Sequence, residues 1–376
     1  MQNKIIIASA AIGFSTRKAR SMTDEIALQQ WLAPWPKIQD QLNLLLVGLK
    51  RRQITGSYET SRKTTELLRA VLGAVRFTHA RQLMEHIRIL GRVLIKAIPQ
   101  ELAIGNVIRR VLFIVREEYL NGMKTLSSQT QAQLSLGTIL TPGMEDDFTT
   151  PIKELKQAIM EGVSELMDEI ENLHISIADQ AMEYIHANEV ILTYGLSTSV
   201  EEFLKAAAKK RQFKVIVVES TPVLNGQNMA HRLAESGIDT TVITDSAVFA
   251  MMARVNKVVI PAIAVVANGG LIAQSGIQNI ALAAKKFCVP VVSVAGLFKL
   301  CPLYPHDLDV LNELVSPAHI LNYDETLPNM DVLNPVNDYV PPEHVTIFIT
   351  NTGAYQPSYI YRLLTEYYSP QDYQLV

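Results

Sequence analysis

The feature that most constrains this chain is a change of hydrophobic period near His186. Before that point apolar residues recur every three or four positions. Leu83, Ile87, Leu90 and Leu94 show it, as do Val107, Val111, Ile114 and Val115, and so does the long series Leu155, Ile159, Val163, Leu166, Ile170, Leu173, Ile177, Ala181 and Ile185. That spacing draws one apolar stripe along a helix. Beyond His186 short β-branched runs take over: Val190 to Thr193, Val215 to Val218, Thr241 to Ile243, Val258 to Ile260, Val291 to Val294 and Val345 to Ile349. Runs that are apolar on both sides belong to strands covered on both faces. The stretches between them, Ser199 to Lys209, Asn228 to Glu235, Ala247 to Arg254 and Gln278 to Lys286, are amphipathic and supply the crossover helices.

The fold class expected is therefore α/β: an all-helical N-terminal domain joined by a long helix to a doubly wound, mainly parallel, Rossmann-like C-terminal domain. A length of 376 residues suits about two domains, each with its own core. The boundaries expected are a variable tail over 1–36, a helical domain over 37–123, a linker or mobile loop over 124–151, a connecting helix over 152–187, and the α/β domain over 188–376. The linker rests on the Ser, Thr, Gln and Gly content between Lys124 and Pro151, with Pro142, Gly143 and the acidic Glu145, Asp146 and Asp147. In the tail, Lys4, Arg17, Lys18 and Arg20 precede any acid, a composition shared with organelle transit peptides. A poorly ordered tail is the plainer expectation.

Composition narrows the function classes. The formal net charge of −3 offers no general attraction for nucleic acid or anionic lipid. No apolar run approaches the ~20 residues of a membrane-spanning helix; Val258 to Ala267 is short and broken by Pro261. Cys288 and Cys301 have no CxxC spacing, and the eight histidines form no HExxH pair. No cofactor and no metal is expected, and a reducing, cytosolic setting is.

In a doubly wound sheet, ligands sit outside the carboxyl ends of the strands. The segments to weigh are Thr193-Tyr194-Gly195-Leu196-Ser197-Thr198, Glu219 to Pro222, Thr244-Asp245-Ser246 and Ala267-Asn268-Gly269-Gly270. The first has a glycine and hydroxyls ahead of a helix, a phosphate cradle in outline. It also reads as a capping box of Thr198 with Glu201, the more favoured reading. Asp245 reads as a helix cap and Asn268-Gly269-Gly270 as a tight turn. The pocket candidates are accordingly Thr193, Gly195, Ser197, Asp245, Asn268 and Gly269. Arg109 and Arg110, within an otherwise apolar helix, face either an anionic partner or a salt-bridged edge.

Ile243-Thr244-Asp245-Ser246-Ala247, Ala267-Asn268-Gly269-Gly270 and Asn334-Pro335-Val336-Asn337-Asp338-Tyr339-Val340-Pro341-Pro342, in that order, resemble a superfamily with two groups. One comprises sugar-phosphate isomerases, including methylthioribose-1-phosphate isomerase. The other comprises the regulatory alpha, beta and delta subunits of translation initiation factor 2B, the guanine-nucleotide exchange factor for translation initiation factor 2. Leu83-Met84-Glu85-His86-Ile87-Arg88 and Pro357-Ser358-Tyr359-Ile360-Tyr361-Arg362-Leu363 resemble the beta-type members in particular.

The resemblance implies that the isomerases' catalytic cysteine and aspartate stand where this chain has Gly195 and Ile263, neither of which exchanges a proton. It implies a non-catalytic subunit of a two-fold symmetric decamer with alpha, gamma, delta and epsilon partners. That decamer acts on initiation factor 2 and responds to the phosphorylated alpha subunit of that factor under stress. Candidate partner contacts are Arg109, Arg110, Asn334, Pro335, Asp338, Tyr339, Tyr359 and Tyr361, with Phe298, Leu300, Leu303 and Tyr304 as material for an exposed apolar patch. The alternatives are a sugar-phosphate isomerase with relocated groups and a module that senses a sugar phosphate or nucleotide without converting it.

Overall fold

A computed structural model describes residues 24–129, 148–152, 154–305, 312–325, 327 and 329–375, the side chains of 126–129 excepted. The described residues form two compact units. One draws on Met1–Asp168 together with Tyr368–Val376, the other is Glu169–Tyr367.

The first unit is helical. Helix α1 spans 24–32, so the later part of the expected tail is folded: Leu28 and Leu32 are buried, and Trp31 stacks on His86 with ring centroids 4.4 Å apart. Arg92 fixes the start of α1 through a two-pronged bond to Asp24, at 2.9 and 2.8 Å. Earlier residues, the transit-peptide composition among them, lie outside the described residues. Helix α2 (Pro36–Lys50) opens on a proline, which gives up only an N–H that has no helical partner anyway. Helices α3 (Ser57–Ala74) and α4 (Ala80–Ala97) pack on α5 (Leu102–Gln129). The stripe Leu83, Ile87, Leu90 and Leu94 is fully buried, and so are Val107, Val111 and Val115. The helix α5 runs past Lys124, where the linker was expected to begin, because its periodic apolar positions are followed by residues that do not forbid a helix. Residues 130–147 of that expected linker lie outside the described residues.

The C-terminal residues return to this unit. Tyr368 and Leu375 are buried, and so is Asp372, at 1 % exposure. Asp372 Oδ1 accepts from Arg88 Nε and NH2, its Oδ2 accepts from Arg116 Nε at 2.9 Å, and Arg109 Nε donates to the carbonyls of Asp372 and Tyr373.

The long helical series from Leu155 to Ile185 is carried by three helices rather than one: α6 (Leu155–Glu171), α7 (Leu173–Asp179) and α8 (Ala181–Tyr184). The breaks fall at Asn172, with ψ 3°, and Gln180, with ψ −10°. Asparagine is a weak helix former whose side chain competes for backbone bonds. The apolar period continues across both breaks because each costs only one distorted residue.

The second unit continues with β1 (Val190–Tyr194), α9 (Thr198–Ala208), β2 (Lys214–Val218), α10 (Asn225–Glu235), β3 (Asp239–Ile243), α11 (Val248–Met252) and β4 (Lys257–Pro261). Then come β5 (Ala264–Val265), β6 (Leu271–Gln274), α12 (Ile277–Lys286), β7 (Val291–Val294), β8 (Asn337–Val340), β9 (Ile347–Ile349), β10 (Ala354–Tyr355) and α13 (Ile360–Tyr367). The main sheet has the order β10-β9-β7-β4-β1-β2-β3. All its pairings are parallel except that of β10 with β9. The doubly wound, mainly parallel fold read from the sequence is thus the observed one. Strands β1, β4 and β7 are buried on both faces. The strand β3 differs, with Val242 46 % exposed, because it closes one edge of the sheet.

A second, antiparallel sheet of β5-β6-β8 lies apart from the main one. Its strands are two to four residues long, too short for a period to declare them. Chain order makes β1 the turning point: β2 and β3 lie to one side, β4, β7 and β9 to the other. In such sheets the carboxyl ends near the turning point form the ligand crevice.

Candidate functional site

At those carboxyl ends is a cleft of about 300 Å³, lined by Tyr194, Thr221, Asp245, Val248, Ser275, Gly276, Gln278, Asn279, Ile280 and Asp338. Tyr194 ends β1, Thr221 follows β2 and Asp245 follows β3, so three successive strands aim their last residues at one place. Ser275 and Gly276 sit between β6 and α12, and Asp338 comes from β8 of the small sheet.

The carboxylates are tied to the backbone around them. Asp245 Oδ2 accepts from the Thr221 main-chain N–H at 2.7 Å and from the Thr221 hydroxyl. Asp338 Oδ2 accepts from the N–H groups of Gly276, at 2.7 Å, and Gln278, at 3.2 Å, and so caps α12. The Tyr194 hydroxyl donates to the Ser275 carbonyl at 2.6 Å. Burial pushes that phenol up to about 12, and the Asp245 and Asp338 carboxylates push in the same direction. Near neutral pH it is a hydrogen-bond donor and not a base.

The other pocket candidates divide by what they touch. Gly195 has φ +61°, and a Cβ there would lie 2.8 Å from Gln274 Oε1. Gln274 is in turn held by its bond to Ser220 Oγ at 2.8 Å. Both the backbone conformation and the occupied space therefore favour glycine. Thr193 is buried, and its hydroxyl has no hydrogen-bond partner among the described residues. Ser197 caps α9, accepting from Val200 N at 3.5 Å. The expected capping box of Thr198 with Glu201 is therefore one residue out of register: Ser197 has the extended φ of −145° that an N-cap requires, and Thr198 is the first helical residue. Glu201 instead pairs with Lys205 at 2.6 Å and Arg232 at 3.2 Å.

Asn268 and Gly269 form the turn between β5 and β6, as their composition suggested. Gly269 N donates to Val266 O, Val266 N to Gly270 O, and Asn268 Oδ1 accepts from Gly270 N. Gly269 has φ +81°, and a Cβ would lie 2.4 Å from the Pro357 carbonyl oxygen. The Asn268 amide donates to the Tyr339 hydroxyl at 2.6 Å. Neither Asn268 nor Gly269 lines the cleft. Ile263 is half-buried, and its N–H donates to Ile272 O at 2.8 Å.

Arg109 does not face outward: at 4 % exposure it is engaged by the carbonyls of Asp372 and Tyr373 and by Asn106 Oδ1, because its helix packs on the returning C-terminal residues. Arg110 is half-buried with its guanidinium 5.3 Å from the Phe113 ring centre. Asn334 is buried and donates to Ser316 O at 3.0 Å, and Pro335 bridges to Leu314. Asp338 is a cleft residue and helix cap. Tyr359 stacks on Tyr355 at 5.3 Å and beneath Arg362, whereas Tyr361 is 60 % exposed. Of the expected apolar patch, Phe298 and Leu300 are core, Leu303 is half-buried and Tyr304 is exposed. The β-bridge from Leu300 to Val265 explains the burial of that segment.

Tyr194 and Thr221 belonged to segments already marked by the strand-end rule, but their hydroxyls carried no signal of their own. Ser275, Gln278 and Asn279 were missed because the short strand β6 was not legible.

Residues 53–357 match the model of the initiation factor 2 subunit family. The chain belongs to that family. It is 46 % identical over 367 residues to translation initiation factor eIF2B subunit beta of Dictyostelium discoideum, covering 87 % of this chain and 95 % of that protein. Identity to the Schizosaccharomyces pombe eIF2B subunit beta is 36 % over 377 residues, with the same coverage. A subunit in the crystal structure of the tetrameric eIF2B-beta2-delta2 complex from C. thermophilum superimposes with a TM-score of 0.69 at 29 % identity, covering 88 % of this chain and 95 % of that one. The resemblance to beta-type members read from the motifs is the one these relatives show.

Proposed function

We propose that this chain is a regulatory, non-catalytic beta-type subunit of the guanine-nucleotide exchange factor for initiation factor 2. It assembles in the cytosol with a delta-type subunit and, through the larger complex, with alpha, gamma and epsilon subunits. On this reading it contacts initiation factor 2 and passes on inhibition by that factor's phosphorylated alpha subunit through a change of complex geometry or docking.

The observation that carries the reading is the near full-length likeness to beta subunits, one structural relative being part of a beta2-delta2 tetramer. The cleft supports it. At the positions that the resemblance gives to a proton-transferring cysteine and aspartate stand Gly195, in a backbone conformation and a space unsuited to a side chain, and Ile263. Loss of general acid–base catalysis typically costs ~10²-fold or more for each group. Each carboxylate that lines the cleft accepts from backbone N–H groups through its Oδ2.

The deciding experiment is co-expression with a delta-type subunit, read by native mass. A stable complex carrying both chains is expected. A monomer indifferent to that subunit at micromolar concentration, or turnover of aldose 1-phosphates lost on Asp245→Ala, would overturn the reading.

A further inference from the structure

The two edges of the main sheet are finished differently. At one, β10 is two residues long and antiparallel, a short end that discourages further pairing. At the other, β3 is five residues long and pairs with β2 alone among the described residues. It has no proline, lysine or bulge to blunt it, and its one charge, Asp239, stands at the first position, paired with Lys214 at 3.1 Å.

The β3 backbone decides what this edge can take. Ile243 O accepts from Glu219 N, which turns the peptide groups of Ile243 and, by alternation, of Thr241 and Asp239 toward β2. Thr240 and Val242 therefore direct their N–H and C=O groups outward. These two residues line a groove of about 390 Å³ with Gln227, Ala230, His231 and Ala234 of α10. The spacing of those four residues puts them on one face of the helix. Val242 is 46 % exposed there.

The groove thus offers strand bonds that another extended strand satisfies, beside a helix face small enough for another helix to approach. A second copy of this chain supplies both. With a two-fold axis perpendicular to the sheet at Thr241, β3 pairs antiparallel with its own copy. Thr240 then lies opposite Val242 of the copy, and each such pair exchanges both N–H···O bonds. Asp239 lies opposite Ile243, so no like charges face each other along the strands. The same axis keeps α10 and its copy on one side of the sheet. Because α10 packs on both β2 and β3, helix and copy stand two strand spacings apart, ~9.6 Å. That falls within the 8–10 Å of packed helices, and the copy's helix covers Val242. A lone extended peptide would satisfy the strand and leave the α10 face open.

We infer that this chain self-associates as a two-fold dimer through β3 and α10, continuing the main sheet from one copy into the other. The seam is short, ~16 Å for five residues, which places the contact among small, reversible interfaces. The inference concerns the chain by itself and does not depend on the subunit reading above.

The test is sedimentation velocity of the full chain from about 1 to about 200 µM, where a reversible monomer–dimer equilibrium with a micromolar Kd is expected. Val242→Lys puts a cation on an exposed position of the seam and should weaken the dimer by at least about tenfold. Ala234 is also exposed; Ala234→Arg should act in the same direction without touching the strand, which covers the case of a poorly folded Val242→Lys protein. Leu282 of α12, 47 % exposed and outside the groove, serves as control, and Leu282→Lys should leave the dimer unchanged. Register is read by Thr241→Cys in a Cys288→Ser background, since Cys288 is the exposed native thiol. The two copies of position 241 form a pair without strand bonds, ~4.5 Å between Cα atoms and within disulfide reach, so oxidised glutathione should yield a covalent dimer. A chain that is monomeric throughout would overturn the inference. So would a dimer that persists in both Val242→Lys and Ala234→Arg, or one lost in Leu282→Lys alone.

Discussion

Arg88 grips Asp372 with two nitrogens on one oxygen, Nε at 3.0 Å and NH2 at 2.8 Å from Oδ1, across 284 residues of sequence. Arg116 takes the other carboxylate oxygen at 2.9 Å. The aspartate side chain is fully buried, whereas those of Arg116 and Arg88 are 10 % and 30 % exposed. Removing one partner of such a cluster leaves the others as uncompensated buried charge. Asp372→Ala should therefore destabilise the helical unit by about 3–5 kcal/mol. Arg88→Met, at the more exposed end and with Arg116 still in place, should cost roughly 1–2 kcal/mol. Urea unfolding followed by circular dichroism ranks the two. An Asp372→Ala protein as stable as the parent would show that the C-terminal residues are not fastened as described.

Gly195 and Gln274 offer a second test. An L-residue in the left-handed region costs about 1–2 kcal/mol, and a side chain at Gly195 must also displace the Gln274 carboxamide from Ser220. Gly195→Cys should lower the melting temperature by roughly 2–6 °C and should not confer isomerase activity. Adding Gln274→Ala should recover part of the loss, because it frees the space but leaves the backbone cost. A double variant no more stable than the single one would place the whole cost in the backbone.

Much of the fold was legible in the sequence because two periods carry it. Leu83, Ile87, Leu90 and Leu94 repeat at helical spacing and are all buried; Val258, Val259 and Ile260 are buried on both faces of a central strand. What escaped lacks a period. The strand β5 is two residues long, and β6 and β8 are four each, yet they bring Ser275 and Asp338 to the cleft. Arg109 reads in sequence as facing an anionic partner or a salt-bridged edge, because the carbonyls of Asp372 and Tyr373 that engage it are more than 250 residues away. Asp338 was marked through a motif and not through its chemistry. Its role as a cap of α12 needs a strand far along the chain to be set beside a helix start. Local spacing cannot report such pairings.

The start of α9 separates two readings that differ by one residue. Ser197 accepts from Val200 N, and Thr198 is already helical. Replacing an N-cap serine by alanine costs about 0.5–2 kcal/mol, and the 3.5 Å bond puts this case at the lower end. Thr198→Ala should change stability by no more than about 0.5 kcal/mol. Thermal melts of the two variants decide it; the reverse ranking would restore Thr198 as the cap.

Acid should weaken the fold through two half-buried imidazoles, His86 and His174. Burial lowers the pKa of His174 from the ordinary 6.5, the Lys299 ammonium lowers it further, and Glu202 opposes them. Burial likewise lowers His86, which stacks on Trp31, against the opposing effects of the Gln82 backbone and Glu85. A group whose pKa is lower folded than unfolded binds fewer protons in the native state. Its contribution is complete above 6.5 and is lost as pH falls from there through the folded value. This is the reverse of a histidine stabilised by a carboxylate. The melting temperature should consequently fall between about pH 7 and about pH 5. His174→Asn, which keeps a polar group near Ser199 Oγ, now 3.3 Å from the imidazole Nδ1, should flatten part of that slope. Melting curves across the interval check the sign: a variant whose slope is steeper than the parent's would mean that His174 gains a proton on folding, contrary to its burial beside a lysine.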